Sequence, residues 1–368
     1  MKKLPSQEED KKVNTSSLVG SSSGFNPLKI FSNKPLGILL GLVFLICVPF
    51  PFSVFAAREN NYVMVLVTLI IMYAVLASAW NIIGGMGGQF DLAVGAYVGL
   101  GAFTTGTLMM NWHITPWIGL WLGGLVAMAF AVLVGLPLFR FKVKEVWYTL
   151  SSAALVEVLR VTFLMWGAVG GPTEKYLPSV SDGAIYYLRF NTYVPYYYIM
   201  LLLLVIVVFI NHRIRNSKLG YSLLALGEDE DAVEVLGVDS RNCKLKALMI
   251  YAYIAGFVGG IYACIYGYLH PSFFSTEMST EVAILGIVGG MGITYGPLLA
   301  ALVLVTLREL LRARLGGELA GLYLFFYAVV LIVIALFQPR GLAVLVQDGY
   351  TRFLKLIGVK KGGHPADA

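Results

Sequence analysis

Five carboxylates fall within seven consecutive positions, Glu228, Asp229, Glu230, Asp231 and Glu234, in the run LGYSLLALGEDEDAVEVLGVDSRNCKLK. Leu223, Leu226, Val233 and Leu236 recur there at helical spacing, so the acidic side chains crowd the other side of a helix. Gly237 fits a C-cap, and Asp239 with Ser240 fits the start of a new turn. Carboxylates so placed break no bonds; they offer charge to a surface. One reading is a solvated connector helix. The other is a docking helix lying along a membrane, with the stretch Glu228 to Glu234, Ala232 included, offered to a basic partner. An anionic lipid face would repel it.

Two glycine breaks come next. Asn81-Ile82-Ile83 leads into Gly84-Gly85-Met86-Gly87-Gly88-Gln89, and Gly286-Ile287-Val288 leads into Gly289-Gly290-Met291-Gly292. One GGMG tetrapeptide thus interrupts an apolar run early and late. Exposed backbone at membrane depth survives only where protein or a watery cavity satisfies it, and paired breaks in two halves point to a solute path. On that reading the path residues are Asn81, Gly85, Gly88, Gln89, Asp91, Gly289, Gly290 and Gly292. Close helix packing through small residues accounts for the glycines equally well.

Ionisable side chains near the apolar runs are few. Asp91 follows the first break and suits a helix cap; Glu157 and Arg160, three apart, share one helical face as a structural pair; Glu281 opens the late apolar stretch. No chain of buried carboxylates and histidines runs through the apolar segments, which speaks against a proton- or sodium-driven carrier. Neither GxxxxGK[ST] nor HExxH nor a nucleophile elbow occurs. His113, His212, His270 and His364 are scattered, and Cys47, Cys243 and Cys264 build neither a disulfide framework nor a metal cluster. The chain reads as no enzyme, with no cofactor of its own.

Helices in lipid must hold these residues. Of 368 residues, 58% are hydrophobic and 13% charged, about half the charged share of a soluble domain. Spanning about 30 Å of hydrocarbon takes about 20 apolar residues, and such runs repeat along the chain. Leu201 to Ile210 reads LLLLVIVVFI. Strand-like alternation is absent, which excludes a transmembrane barrel. The net charge of +6 suits lipid headgroups more than nucleic acid.

Residues 1–34 read as a disordered cytoplasmic tail, 35–346 as the membrane domain with 211–246 as its cytoplasmic segment, and 347–368 as a second cytoplasmic tail. Leu36 to Ala57 reads as a retained first helix rather than a signal sequence. Further spans are expected at about 62–83, 90–110, 116–138, 146–169, 193–210 and 247–269, with 281–311 and 320–338 harder to divide. Basic clusters at Arg140, Lys142 and Lys144, at Arg213, Arg215, Lys218, Arg241, Lys244 and Lys246, and at Arg352, Lys355, Lys360 and Lys361 place those parts in the cytoplasm. Splitting 281–311 at its GGMG gives about ten spans and a cytoplasmic C-terminus; leaving it whole gives nine. The expected class is an all-α polytopic bundle with glycine-broken helices.

Four blocks in order resemble the branched-chain amino-acid permease family, the membrane subunits of binding-protein-dependent ABC importers. They are NIIGGMGGQFDLAVGAYVGLGAF (Asn81 to Phe103), ALGEDEDAVEVLGV (Ala225 to Val238), EVAILGIVGGMGITYGPLLAA (Glu281 to Ala301) and Gln338-Pro339-Arg340-Gly341-Leu342. The likeness covers about residues 62–345. Asp91 departs from it, standing where the family usually carries a hydroxyl, and Gly170-Gly171-Pro172-Thr173 replaces a Gly-Gly-Ser/Thr loop. The resemblance implies a permease working with a second homologous permease, two ATPase subunits that bind ATP and Mg, and an extracytoplasmic solute-binding protein. The acidic segment would be the coupling helix. Branched-chain or other amino acids are the implied solutes, with urea and short amides the alternative within the family. A self-sufficient ion-coupled transporter, or a channel, is the alternative of another class.

Overall fold

α1 (Asn61–Trp80) is apolar along nearly its whole length, and Thr68 donates its hydroxyl back to the Met64 carbonyl at 2.7 Å. The structure, a computed structural model, describes residues 61–178, 185–190, 192–315, 321–338 and 341–344. The expected tails 1–34 and 347–368 and the first span Leu36 to Ala57 lie outside the described residues.

α1 continues into a π-helical turn, Asn81–Met86, and the break falls at residues 87–93. α2 (Val94–Trp112) then runs through the centre of the bundle, lined with small residues. A Cβ on Gly101 would overlap the Gly256 backbone of α8 (Ser240–Tyr266), and one on Gly259 of α8 would overlap the Val98 carbonyl of α2. α3 (Pro116–Arg140) closes on both: a Cβ on Gly123 would sit 2.9 Å from the Gly101 carbonyl oxygen. Backbone-to-backbone approach of this kind is how helices pack where lipid removes the hydrophobic drive.

α4 (Glu145–Met165) and α5 (Val194–Arg215) follow, then two short helices, α6 (Lys218–Glu228) and α7 (Glu230–Val235), before α8. α8 starts earlier than expected, at Ser240 rather than 247, because Lys244 finds Glu230 as a partner, and it stops at Gly267, φ 78°. The fifth span stops at Met165 rather than 169, where Trp166 turns extended. A two-residue antiparallel pair, β1 (Lys175–Tyr176) with β2 (Tyr268–Leu269), clips the segment after α4 to the end of α8.

The stretch 281–311 is interrupted once, at the second GGMG. α9 (Thr276–Gly289), capped by the Ser275 hydroxyl, ends at the second GGMG; α10 (Gly296–Ala300) restarts the chain and passes through a π turn, Ala301–Val305, into α11 (Thr306–Leu315). α9 is about 21 Å long, short of a full crossing. α12 (Leu322–Phe337) completes the described helices. Among the described residues, five helices are long and apolar enough to cross a membrane: α1 with its π turn, α3, α4, α5 and α8. The protein is an all-α polytopic membrane bundle, with Arg140, Lys142, Arg213, Arg215 and Lys218 at one end and a tyrosine-rich layer, including Tyr262, Tyr266 and Tyr268, at the other.

Candidate functional site: a glycine junction under two linker helices

Asn81 ties the two breaks together. Its side-chain N–H donates to the Ile293 carbonyl at 3.2 Å, and its Oδ1 accepts the Gly292 N–H at 3.0 Å. A Cβ on Gly85 would lie 2.7 Å from the Gly292 nitrogen, so the two GGMG segments touch backbone to backbone. Trp80 fills the wedge between their arms: a Cβ on Gly84 or on Gly286 would overlap its ring, and its indole N–H donates to the Asp91 carbonyl at 2.7 Å. Gly289 and Gly296, across the second break, leave no room for a side chain on either.

The remaining blocks arrive from elsewhere in the chain. α6 lays Leu223 against Gly87, Leu224 against Gly292, and Gly227 against Gly88, whose own φ is +65°. A Cβ on Gly341 would lie 2.5 Å from the Gly290 Cα. All four blocks therefore meet at one junction at the basic end of the bundle. Spacing alone could not show this, because contacts between residues 81, 227, 292 and 341 leave no periodic trace.

Of the path residues expected from sequence, Asn81, Gln89, Asp91, Gly289, Gly290 and Gly292 are buried, and Gly85 and Gly88 half-buried. Gln89 Nε2 and, on the other arm, Thr294 Oγ1 are buried with no hydrogen-bond partner. Asp91 is committed to the protein. Its Oδ2 accepts from Tyr148 of α4 at 2.7 Å, and its Oδ1 accepts the Ala93 N–H at 2.7 Å and the Tyr251 hydroxyl of α8 at 3.5 Å. The Ala93 bond is a turn just ahead of α2, close to the cap role its position suggested. Glu281 pairs with Arg308, which also holds Glu309 at 2.8 Å and lies 5.0 Å over the Tyr73 ring.

The acidic run is not one helix with a charged side. It breaks at Asp229, whose φ of −155° is extended and whose Oδ1 accepts the Ala232 N–H at 3.0 Å as the cap of α7. Glu230 accepts from Lys244 at 2.6 Å and from the Ser240 hydroxyl; Glu234 accepts from Lys142 at 2.5 Å. Glu228 and Asp231 remain exposed beside Ala232. Leu223, Leu226 and Val233 are buried as their spacing implied, but Leu236 is 82% exposed and Val235 87%. The break at Asp229 turns α7 out of register with α6, so Leu236 leaves the shared face and joins Val235 in an apolar knuckle. Gly237 follows at φ +86°, its N–H donating to the Glu234 carbonyl at 2.9 Å, and Asp239 caps α8.

Burial pushes the Glu230 carboxyl up, but the Lys244 and Ser240 hydrogen bonds and the Lys244 charge outweigh it, leaving it below the ordinary value of 4.5. A depressed carboxyl contributes stability above its unfolded value and loses it as pH falls through the folded one. Amide exchange across residues 228–244, corrected for its intrinsic pH dependence, is therefore expected to stay slow above about pH 5 and to quicken below about pH 4. In Glu230→Gln it should be fast throughout; an unchanged profile in that variant would show that the tie holds nothing.

Five membrane-spanning helices, with the break after α1 closed on the break after the shorter α9, define the class: a multi-pass membrane transport protein. Residues 62–335 match the family described as branched-chain amino acid transport system / permease component, and the chain belongs to that family. The high-affinity branched-chain amino acid transport system permease protein LivM of Escherichia coli K12 is 26% identical over 336 residues, 83% of this chain and 74% of that protein. The corresponding LivH of Salmonella typhimurium is 24% identical over 289 residues, 75% of this chain and 92% of its own. No solved structure matches the chain.

Proposed function

We propose that this chain is the permease subunit of an ATP-driven importer for a small zwitterionic solute, branched-chain amino acids foremost. One observation carries the mechanism: α6 touches both arms of the glycine junction, Gly87 and Gly88 on one side and Gly292 on the other. A push on the α6–α7 corner therefore reaches both breaks through rigid contacts. The basic end faces the cytoplasm, as do both termini, in the cell membrane. Two ATPase subunits dock there and bind ATP and Mg; this chain holds neither. A second homologous permease completes the path, and an extracytoplasmic binding protein delivers solute to the tyrosine-rich end.

On this reading the junction is the closed end of the path. Parting its arms would bare the backbone of Gly85, Gly88, Gly289, Gly290 and Gly292 and the unpaired Gln89 and Thr294 groups, which suit a polar solute. Asn81 would hold the gate shut, and Asp91 would anchor the loop behind it. The reading is tested by reconstituting the chain with its partners in liposomes and following radiolabelled leucine. Uptake is expected to require ATP and to survive collapse of proton and sodium gradients. Uptake that ignores ATP and stops with the gradient would instead mark a secondary transporter.

A further inference from the structure

Glu157 and Arg160 form a bidentate pair on α4, with Arg160 Nε donating to Oε2 at 2.9 Å and Nη2 to Oε1 at 2.5 Å. Only 17% of the apolar stretch of this helix lies inside the protein, and the two side chains are 50% and 40% exposed. α4 turns Tyr148, Ser152 and Val156 inward, against α2 and α9. Glu157 belongs to the opposite face, with Leu150, Ala154, Val161 and Met165, and Arg160 reaches it from the flank of the helix. Glu157 is twelve residues along a 21-residue helix, about 18 Å from its basic end, near mid-membrane. Charges at that depth shun hydrocarbon and turn to water-filled cavities or protein.

Resting on the importer reading, we infer that the Glu157–Arg160 pair is a station on the solute path that reads both charges of a zwitterionic amino acid. Arg160 spends two of its five N–H donors, on Nε and Nη2, on Glu157, and Nη1 takes no part in the pair, which leaves it for the solute carboxylate. Each Glu157 oxygen accepts one bond in the pair and keeps a lone pair for the solute ammonium. Solute and pair then form a closed ring of alternating charge, with no bond inside the pair broken. Ala154, one turn below Glu157, leaves room beside the carboxylate. Because the pair satisfies itself when empty, the site holds solute weakly, which suits passage rather than storage.

The test uses the whole importer in liposomes. Glu157→Gln and Arg160→Gln should each lower radiolabelled leucine uptake at least tenfold, with ATPase co-purification and basal ATP hydrolysis within twofold of wild type. The double Gln variant should stay equally low; recovery in the double would mean that the pair only neutralises itself, and would overturn the assignment. Cysteines at Ala154 and Val161, flanking an intact pair, should react with a hydrophilic thiosulfonate reagent from the aqueous phase. Inert cysteines there would mean that lipid or the second permease covers the face, again overturning it. If the wild-type importer takes up no amino acid, the functional reading falls and takes the assignment with it. Normal wild-type uptake with unaffected Gln variants removes the assignment alone.

Discussion

Replacing Val235 and Leu236 together with aspartate is expected to strip the ATPase subunits from the purified complex while the permease still inserts and stays monodisperse. The two side chains are 87% and 82% exposed at the far corner of the linker, followed by a glycine with open space around it. Burying each against a partner contributes about 1.5–3 kcal/mol, so losing both should weaken docking by about 10²–10⁴-fold. Charge plays a smaller part than the sequence suggests. Glu230 and Glu234 are held by Lys244 and Lys142, and Asp229 caps α7, which leaves Glu228 and Asp231 to steer. Glu228→Lys with Asp231→Lys should slow association in a salt-dependent manner, by about tenfold at low ionic strength. Co-purification untouched by the aspartate pair would place the contact elsewhere.

Gly88→Leu should have the opposite signature: ATPase bound, ATP hydrolysed, transport lost. Its φ of +65° costs a side-chain-bearing residue about 1–2 kcal/mol, and its Cβ would lie 3.0 Å from the Gly227 Cα. α6 would have to back away from the junction, cutting the contact that passes its motion to the breaks. Leucine uptake in liposomes is expected to fall by about two orders of magnitude for a loss near 3 kcal/mol, with hydrolysis retained. Wild-type uptake in this variant would mean that α6 does not drive the junction.

Local signals carried much of this architecture. Apolar runs gave the spans, the second GGMG ended α9, and Gly237 and Asp239 marked the turn into α8. Boundaries slipped where distant partners intervened: Lys244 sits inside a helix because Glu230, fourteen residues away, neutralises it. Leu236 leaves the buried face because the helical period ends at Asp229, where the backbone extends to start a new cap. α2 was legible as a span, but its central place in the packing was not. Its glycines and threonines lower its hydropathy, yet it is central because those small residues admit neighbouring backbones. The convergence of four separated blocks is a property of tertiary packing alone.

Trp80 carries one more consequence. Of the six tryptophans, Trp112, Trp117, Trp121, Trp147 and Trp166 are exposed, and Trp80 alone is fully buried, clasped between Gly84 and Gly286 with its N–H on the Asp91 carbonyl. Any movement that parts the arms must let water reach that indole or break its hydrogen bond. A chain keeping Trp80 as its sole tryptophan would thus carry a built-in optical gauge. Blue emission would mark the shut junction, and a red shift with aqueous quenching would mark the open one, with no dye attached.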